Sequence, residues 1–256
     1  MPQTPGPDGG IKTTRTTFAI VETLHEREAA RLTELAAAVD IANSTAHEHL
    51  ETLEGCGYVV EDEGLFSLSL KFLDHGTRAK RRYQGLIEAA KPALEGLIDE
   101  TNETMNLVVE EHGEAVYVDR MVGERGVPTN SWAGKRKPLH TLAAGKSILA
   151  HLPDERVDEI VSTRGLAAVT ERTITTREQL EDELETIRDR GVAFNDRESH
   201  DRIRAVGTPI VLEGEVFGGI AIAGPAKRLT GEYFRSELPD LLLGAVNEIE
   251  LKLAYH

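Results

Sequence analysis

The sequence predicts an α/β (α+β) chain: a winged helix-turn-helix, then a linker helix, then a domain built on an antiparallel sheet. Three observations carry this reading. Residues 32–60, LTELAAAVDIANSTAHEHLETLEGCGYVV, hold two short helical periods, a break between them, and a Gly-punctuated step into a strand. Residues 76–100 hold one long apolar stripe behind a basic start. Beyond residue 104, β-type runs bounded by Gly-containing turns mix with amphipathic helices. The boundaries that follow are a tail at 1–10, the winged unit at 11–75, the linker at 76–100 and the sheet domain at 101–256.

The tail, MPQTPGPDGG, has Pro and Gly and almost nothing to bury, so disorder is expected. IKTTRTTFAIVETLHERE reads as a helix with Phe18, Val21 and Leu24 or His25 on one face and Ala19 and Ile20 beside it. Its start carries Thr13, Thr14, Arg15 and Thr16, and hydroxyls, a guanidinium and free N–H groups suit a phosphate there, although plain capping explains them as well. In LTELAAAV, Leu32, Leu35, Ala36 and Val39 share a face. Asn43 or Ser44 is expected to cap the next helix through a side-chain oxygen. That helix turns Ala46, Leu50 and Leu53 inward, and Gly55 and Gly57 end it. Tyr58-Val59-Val60 opens a strand, Asp62-Glu63-Gly64 turns it, and residues 65–70 return as its partner. Cys56, between helix and strand, is expected in the core.

In the linker, Leu86, Ile87, Ala90, Leu94, Leu97 and Ile98 form a stripe suited to pairing with a partner chain. Its first turns hold Arg78, Lys80, Arg81 and Arg82, the densest basic cluster in the chain. They suit phosphate contact or a solvated helix end. Pro92 is expected to kink the helix or start a second one. Residues 105–109 and 115–118 then flank a turn as a hairpin. KRKPLHTLAAGKSILAHLP reads as a loop and a helix opening near Leu142 and ending before Pro153, where the next helix starts. TTREQLEDELETIRDRG is amphipathic through Leu180, Leu184 and Ile187, capped by Thr175 or Thr176 and stopped by Gly191. VAFN, IRAVGTPIVLEG and EVFGGIAIAGP read as strands, and a last helix, broken at Pro239, closes the chain.

A length of 256 residues suits two cores, and 40% hydrophobic residues suits a soluble protein. No apolar run approaches the roughly 18 residues of a membrane span, and no basic-then-apolar leader opens the chain, so a cytoplasmic protein without membrane contact is expected. One cysteine excludes an internal disulfide framework. The net charge is −15, from 44 acids against 29 bases, of which only 9 are Lys; this is a halophile-type composition. Residues 11–75 hold 5 bases and 12 acids, the wrong sign for the usual basic footprint of a DNA binder. In concentrated salt counterion release adds little affinity, so base contacts, shape and hydration carry more of the binding.

Enzyme chemistry finds no support. The run 195–202, Asn-Asp-Arg-Glu-Ser-His-Asp-Arg, has carboxylates and a histidine but alternates them with arginines, as a salt-bridged loop does. Lys146 lacks a phosphate-loop motif around its Gly-Lys pair. His47 and His49, two apart, cannot share a helix face. No nucleophile, base and orienting group come together, and no cofactor or metal is expected.

Residues 11–256 resemble the IclR family of transcriptional regulators. LTELAAAVDIANSTAHEHLETLEGCGYV is similar to that family's LTEIA…STAYRLLETLEERGYV pattern. PLHTLAAGKSILA resembles PLHATALGKALLA, GVAFNDRES resembles GYAVDDEE, and IRAVGTPI…GGIAIAGPAKRLT resembles VRCVAAPV…AALSVSGPAHRLT. The resemblance implies a homodimer or homotetramer that binds a palindromic operator in double-stranded DNA. It also implies a GAF-like effector-binding domain at 101–256, and control of a catabolic operon for sugars, sugar acids or aromatic acids, as repressor or activator. Asn43, Ser44, Thr45, His47 and Glu48 would face DNA, with Arg15 and Thr16 on the backbone. Glu48 departs from the family's usual Arg: a carboxylate can accept from cytosine N4 but cannot hold a phosphate.

The resemblance also places an effector site. Backbone N–H groups of Ala143-Ala144-Gly145 would hold an acid. Asn195 or Asp196 stands at the family's Asp position, Ala205 at its Cys, and Ala221 and Ala223 at its two Ser positions. Asn106 and Trp132 are further candidates, with ordinary packing the other reading of Trp132. Three polar groups replaced by methyls imply a wider, less polar cavity, in which an unpaired ligand oxygen costs about 1–3 kcal/mol. A ligand larger than glyoxylate or pyruvate, or differently placed, is therefore expected. The alternative is a C-terminal domain that only oligomerises and binds no effector.

Overall fold

The computed structural model describes residues 10–126 and 131–255, so all but the last residue of the expected tail lies outside the described residues. The chain divides into two compact units, Met1–Arg81 and Arg82–His256.

The first unit runs α1 (Lys12–Arg27), β1 (Ala29–Ala30), α2 (Leu32–Val39), α3 (Asn43–Gly55), β2 (Val59–Asp62), β3 (Leu65–Leu68) and α4 (Lys71–Lys80). Ile20, Leu24, Leu35, Leu50, Val59 and Phe66 meet in its core. Phe18, expected on the buried face of α1, is 59% exposed. The true face is Ile20, Val21 and Leu24, and Phe18 lies roughly a third of a turn from it. The α2–α3 turn is closed by Asp40 in the left-handed region and an Ile41 N–H bond to the Ala36 carbonyl of 3.0 Å. Neither Asn43 nor Ser44 caps α3. Ala42 holds that position without a side-chain bond, because the tight turn already draws Asn43 into the helix. Cys56 is exposed rather than buried, since Leu53 and Val59 on either side take the inward positions. Two-residue β1, too short for any alternation to reveal it, pairs with β3 and makes a three-stranded wing among the described residues.

In the second unit, α5 (Gln84–Thr101) follows a 3-10 turn at Arg81–Tyr83. The helix breaks at this turn and not at Pro92, which sits inside α5. Leu86, Ala90, Leu94 and Leu97 pack in the unit's own core, so the stripe read as a linker face belongs to the sheet domain, and the division falls at 81/82. The strands are β4 (Thr104–Glu111), β5 (Glu114–Val122), β6 (Arg136–Pro138), β7 (Ala193–Asp196), β8 (Ile203–Leu212) and β9 (Glu215–Pro225). Among the described residues they form one antiparallel sheet in the order β6-β5-β4-β9-β8-β7. β6 occupies what reads as loop. Glu63-Gly64, His112-Gly113 and Glu213-Gly214 each have φ > 0 at both residues, the two-residue turn whose twist matches a hairpin.

One sheet face packs α5 and α9 (Leu238–Ala254) through Leu94, Leu107, Ile222, Leu242 and Ile249. A π-helical turn at Tyr233–Glu237 precedes α9, and Pro239 sits in its first turn rather than breaking it. The other face packs α6 (Ala143–His151), α7 (Asp154–Arg164) and α8 (Arg177–Arg190) through Val108, Ile148, Leu149, Leu180 and Ile187. The Thr176 hydroxyl caps α8 by accepting the Gln179 N–H at 3.3 Å. Among the described residues no helix is long and apolar enough to cross a membrane.

Two close approaches seat α6. A Cβ on Gly207 of β8 would lie 2.4 Å from the Ala144 nitrogen, and one on Gly145 would lie 2.2 Å from the Leu139 carbonyl oxygen. Only hydrogen at both positions lets the helix start so near the sheet. Lys146, 1% exposed, then locks the helix from behind. Its ammonium lies 2.7 Å from Glu198 Oε2 and 3.2 Å from Glu183 Oε1 of α8, and Arg190 donates to the same Glu183 oxygen at 2.9 Å. Glu198 belongs to the loop after β7, so the clasp ties α6, α8 and that loop together. Burial pushes the Glu198 carboxyl above the usual carboxylate range, and Lys146 opposes the shift.

Removing one partner of a buried ion pair typically costs about 3–5 kcal/mol. Lys146→Ala should therefore lower the unfolding free energy of the full chain in denaturant titrations by about 3 kcal/mol near neutral pH. A carboxyl raised in the folded state contributes stability at low pH and loses it as pH rises through its folded value. Without Lys146 that value climbs further, so the deficit should shrink as pH falls from about 8 to about 5. A deficit that stays constant with pH would contradict the charge-based account of the clasp.

Candidate effector cavity and DNA-reading face

Sheet alternation builds the floor of a cavity in the second unit. Asn106 and Val108 of β4, Tyr117 of β5, Ala205 of β8, and Ala221 and Ala223 of β9 all point to the α6 side. Register brings them together: Asn106 pairs with Ala221, Val108 with Tyr117, and Ala205 with Ala223. Leu142, Ala143 and Ala144 form one wall at the start of α6, where the first N–H groups have no intrahelical acceptor. The segments 197–203 and 225–227 form the opposite rim. Arg228 fixes the second segment by gripping the buried Glu103 carboxylate with two N–H groups, one at 2.6 Å. The partly open cavity has a volume of about 1080 Å³, slightly above the roughly 300–1,000 Å³ of most small-molecule sites.

The structure gathers most of the expected effector residues here, including Asn106, Ala143, Ala144, Asn195, Ala205, Ala221 and Ala223. Three others stand apart from the lining. Gly145 is pressed on Leu139. Asp196 turns away to Arg204, at 2.7 and 3.3 Å, and to Arg197, at 3.1 Å, and these guanidiniums, Arg204 foremost, hold its carboxyl below the usual range. Trp132 is 43% exposed with the Lys135 ammonium 4.5 Å from its ring centre, while its neighbour Ser131 does line the cavity. Asn195 spends its amide inside the protein. Its Nδ2 donates to the Thr141 carbonyl at 2.6 Å and to Ser199 Oγ at 3.0 Å, and its Oδ1 accepts the Glu198 N–H at 2.9 Å. It shapes the wall rather than offering a free group.

Sequence reasoning missed Tyr117 and Lys137. Burial pushes the Tyr117 hydroxyl up to about 12, so it stays neutral. The Lys137 ammonium lies 5.9 Å from that ring centre, and burial, with Lys135 and Arg120 of like charge, pushes it below the usual lysine value. The residue is placed by its pairing with Ala115 across β5 and β6, in a segment whose three residues read as loop. Asn106 is 7% exposed, and its Oδ1 is buried with no hydrogen-bond partner.

The first unit offers a helix face. Ala46, Leu50 and Leu53 anchor α3 inward, leaving Asn43, Ser44, His47 and Glu48 exposed and Thr45 half-buried. His47 lies 3.9 Å from Glu51. His49 does not join this face, because its Nδ1 pairs with the Thr17 hydroxyl at 2.9 Å and ties α3 to α1. Arg15 is exposed in the first turn of α1, whereas the Thr16 hydroxyl donates to the Lys12 carbonyl at 3.2 Å. The basic cluster is split. Arg78 pairs with Asp74 at 3.6 Å in the first unit, and Arg82 binds Glu111 in the second.

Comparison with known proteins agrees with both halves. The IclR helix-turn-helix domain model matches residues 16–63, and the model for the C-terminal domain of bacterial IclR transcriptional regulators matches residues 81–251. The probable HTH-type transcriptional regulator ArcR of Halobacterium salinarum is 32% identical over 239 residues, covering 91% of this chain and 90% of that protein. The acetate operon repressor of Salmonella typhimurium is 30% identical, covering 86% and 81%. The crystal structure of Thermotoga maritima IclR superposes with a TM-score of 0.76 at 30% identity, covering 96% of this chain and all of that one. With its helix-turn-helix unit and its sheet unit both matched in order, the chain belongs to the IclR family of DNA-binding transcriptional regulators.

Proposed function

We propose that the chain regulates a catabolic operon in response to a small acid bound over the sheet of its second unit. The cavity is the observation that carries this. It combines about 1080 Å³ of space, the start of α6 with its first N–H groups lacking intrahelical acceptors, and the unpartnered Asn106 Oδ1. A platform serving only to oligomerise needs none of these. The acid docks one carboxylate at the first turn of α6, where the helix dipole favours negative charge. Methyl groups of Ala205, Ala221 and Ala223 make the floor, so a two- or three-carbon keto acid leaves most of the space and the Asn106 oxygen unmet. In support, a relative's name assigns it to the acetate operon.

On DNA, a homodimer or homotetramer binds a palindromic operator, because two-fold protein symmetry matches two-fold operator symmetry. Base reading falls to Asn43–Glu48 of α3, and sequence-independent affinity to Arg15 at the start of α1. A second reading, a C-terminal unit that only oligomerises, draws on the polar groups absent at Ala205, Ala221 and Ala223. A thermal-shift screen of sugars and acids separates the two, since no stabilisation by any compound would favour that second reading.

Isothermal titration should show no tight binding of glyoxylate or pyruvate to the full chain; tight binding of either would overturn the size argument. Thr45→Ala or His47→Ala should relax base preference, by about 1–3 kcal/mol of discrimination at the contacted position. Arg15→Ala should weaken all sequences alike and reduce the salt slope of binding by about one. Uniform losses from both kinds of variant in fluorescence-anisotropy titrations would contradict this division.

A further inference from the structure

The charge inside the cavity runs against the charge of the chain. The protein carries a net −15, yet the cavity is lined by Lys137, Arg197, Arg202, Arg204 and Lys227 against a single carboxylate, Asp201. Two of these cations are already satisfied, because Arg204 and Arg197 both bind Asp196. The Lys137, Arg202 and Lys227 side chains make no ion pair among the described residues. Lys137 matters most. Arg202 and Lys227 are exposed and well solvated, whereas Lys137, on the edge strand β6 beside the Tyr117 ring, is half-buried with like charges nearby. A partly desolvated cation without a counter-charge is costly, and an arriving anion relieves that cost. The start of α6 supplies a second, separate anion site, equivalent to about half a positive charge. A monocarboxylate seated on α6 leaves Lys137 uncompensated. Asn106 also lines the cavity; its Oδ1 is buried without a partner and its Nδ2 carries two donors, so the amide suits a hydroxyl, which can both donate and accept, better than a carboxylate, which can only accept.

We infer that the effector is a hydroxylated dianion. One carboxylate sits on the first turn of α6, a hydroxyl bonds the Asn106 amide, and a second anionic group pairs with Lys137. This rests on the reading of the cavity as an effector site and names the ligand class that fits it. The second group is a carboxylate or a phosphate. The methyl floor makes no polar demand on the carbon chain joining the two ends.

The test is titration calorimetry and thermal shift on the full chain in concentrated KCl at fixed ionic strength, with gluconate, glucarate, 6-phosphogluconate and adipate as probes. Glucarate or 6-phosphogluconate should bind at least about tenfold tighter than gluconate, and which of them leads tells a carboxylate from a phosphate. Adipate, a dianion without hydroxyls, should bind more weakly than glucarate, and Asn106→Leu should erase that difference. Lys137→Gln should bring the dianions to the affinity of gluconate, whereas Lys137→Arg should retain their advantage. Gluconate binding as tightly as both dianions, or a dianion advantage that survives Lys137→Gln, overturns the dianion inference while leaving the effector site standing. Absence of binding by all four acids overturns both.

Discussion

Much of the second unit depends on one contact, the meeting of the α6 backbone with the β8 backbone at Gly207. With hydrogen in place of a side chain, the Ala144 nitrogen comes down onto the strand, and Gly145 allows the same approach to the Leu139 carbonyl. The helix start is thereby fixed over the middle of β8, where Gly207 pairs with Ala221 of β9. Its first N–H groups have no intrahelical acceptor, and Leu142, Ala143 and Ala144 line the cavity. Lys146, one turn along, holds the position through Glu183 and Glu198. Because Glu198 sits in the loop that also forms the cavity rim, the helix start and the rim are fastened by the same buried charges. An apolar side chain at 146 would pack, but it would leave the loop untied.

The electrostatics of the two units differ in purpose. Residues 11–75 are acidic, with 12 acids and 5 bases, and the exposed surface of α3 includes Glu48, Glu51 and Glu54. Such a surface stays soluble in concentrated salt and gains little from phosphate attraction there. In the proposed division of contacts, DNA binding then rests on short-range base contacts and a few cations such as Arg15. In the cavity of the second unit the balance reverses, and cations surround a floor of methyl groups. Of these, Lys137 is half-buried and therefore less screened by salt than a charge on the open surface.

Periodicity made the helices and hairpins readable. Leu180, Leu184 and Ile187 announce α8, and Glu213-Gly214 announces the turn between β8 and β9. Features that depend on distant pairing were not readable. Ala29–Ala30 is a strand only because β3 lies beside it, and Arg136–Pro138 only because β5 does. Phe18 and Cys56 were misplaced for a related reason: apolar character does not say which side of an element meets the core. In the cavity, positions reachable by motif, such as Ala143, Ala205 and Ala221, were found. Lys137 and Tyr117 were not, because register across strands brings them in. Asn195 and Asp196 show the reverse limit. The motif pointed at both, and their hydrogen bonds show that each is occupied with holding the loop.

The central claim is that occupancy of this cavity sets the affinity for DNA. The direct measurement is fluorescence anisotropy of a labelled operator fragment with the full chain at molar KCl, titrated with the acid that binds most tightly. Operator affinity should change with a midpoint at the acid's own dissociation constant, since binding free energies couple reciprocally. Operator affinity that stays flat while the acid saturates the cavity would contradict the claim.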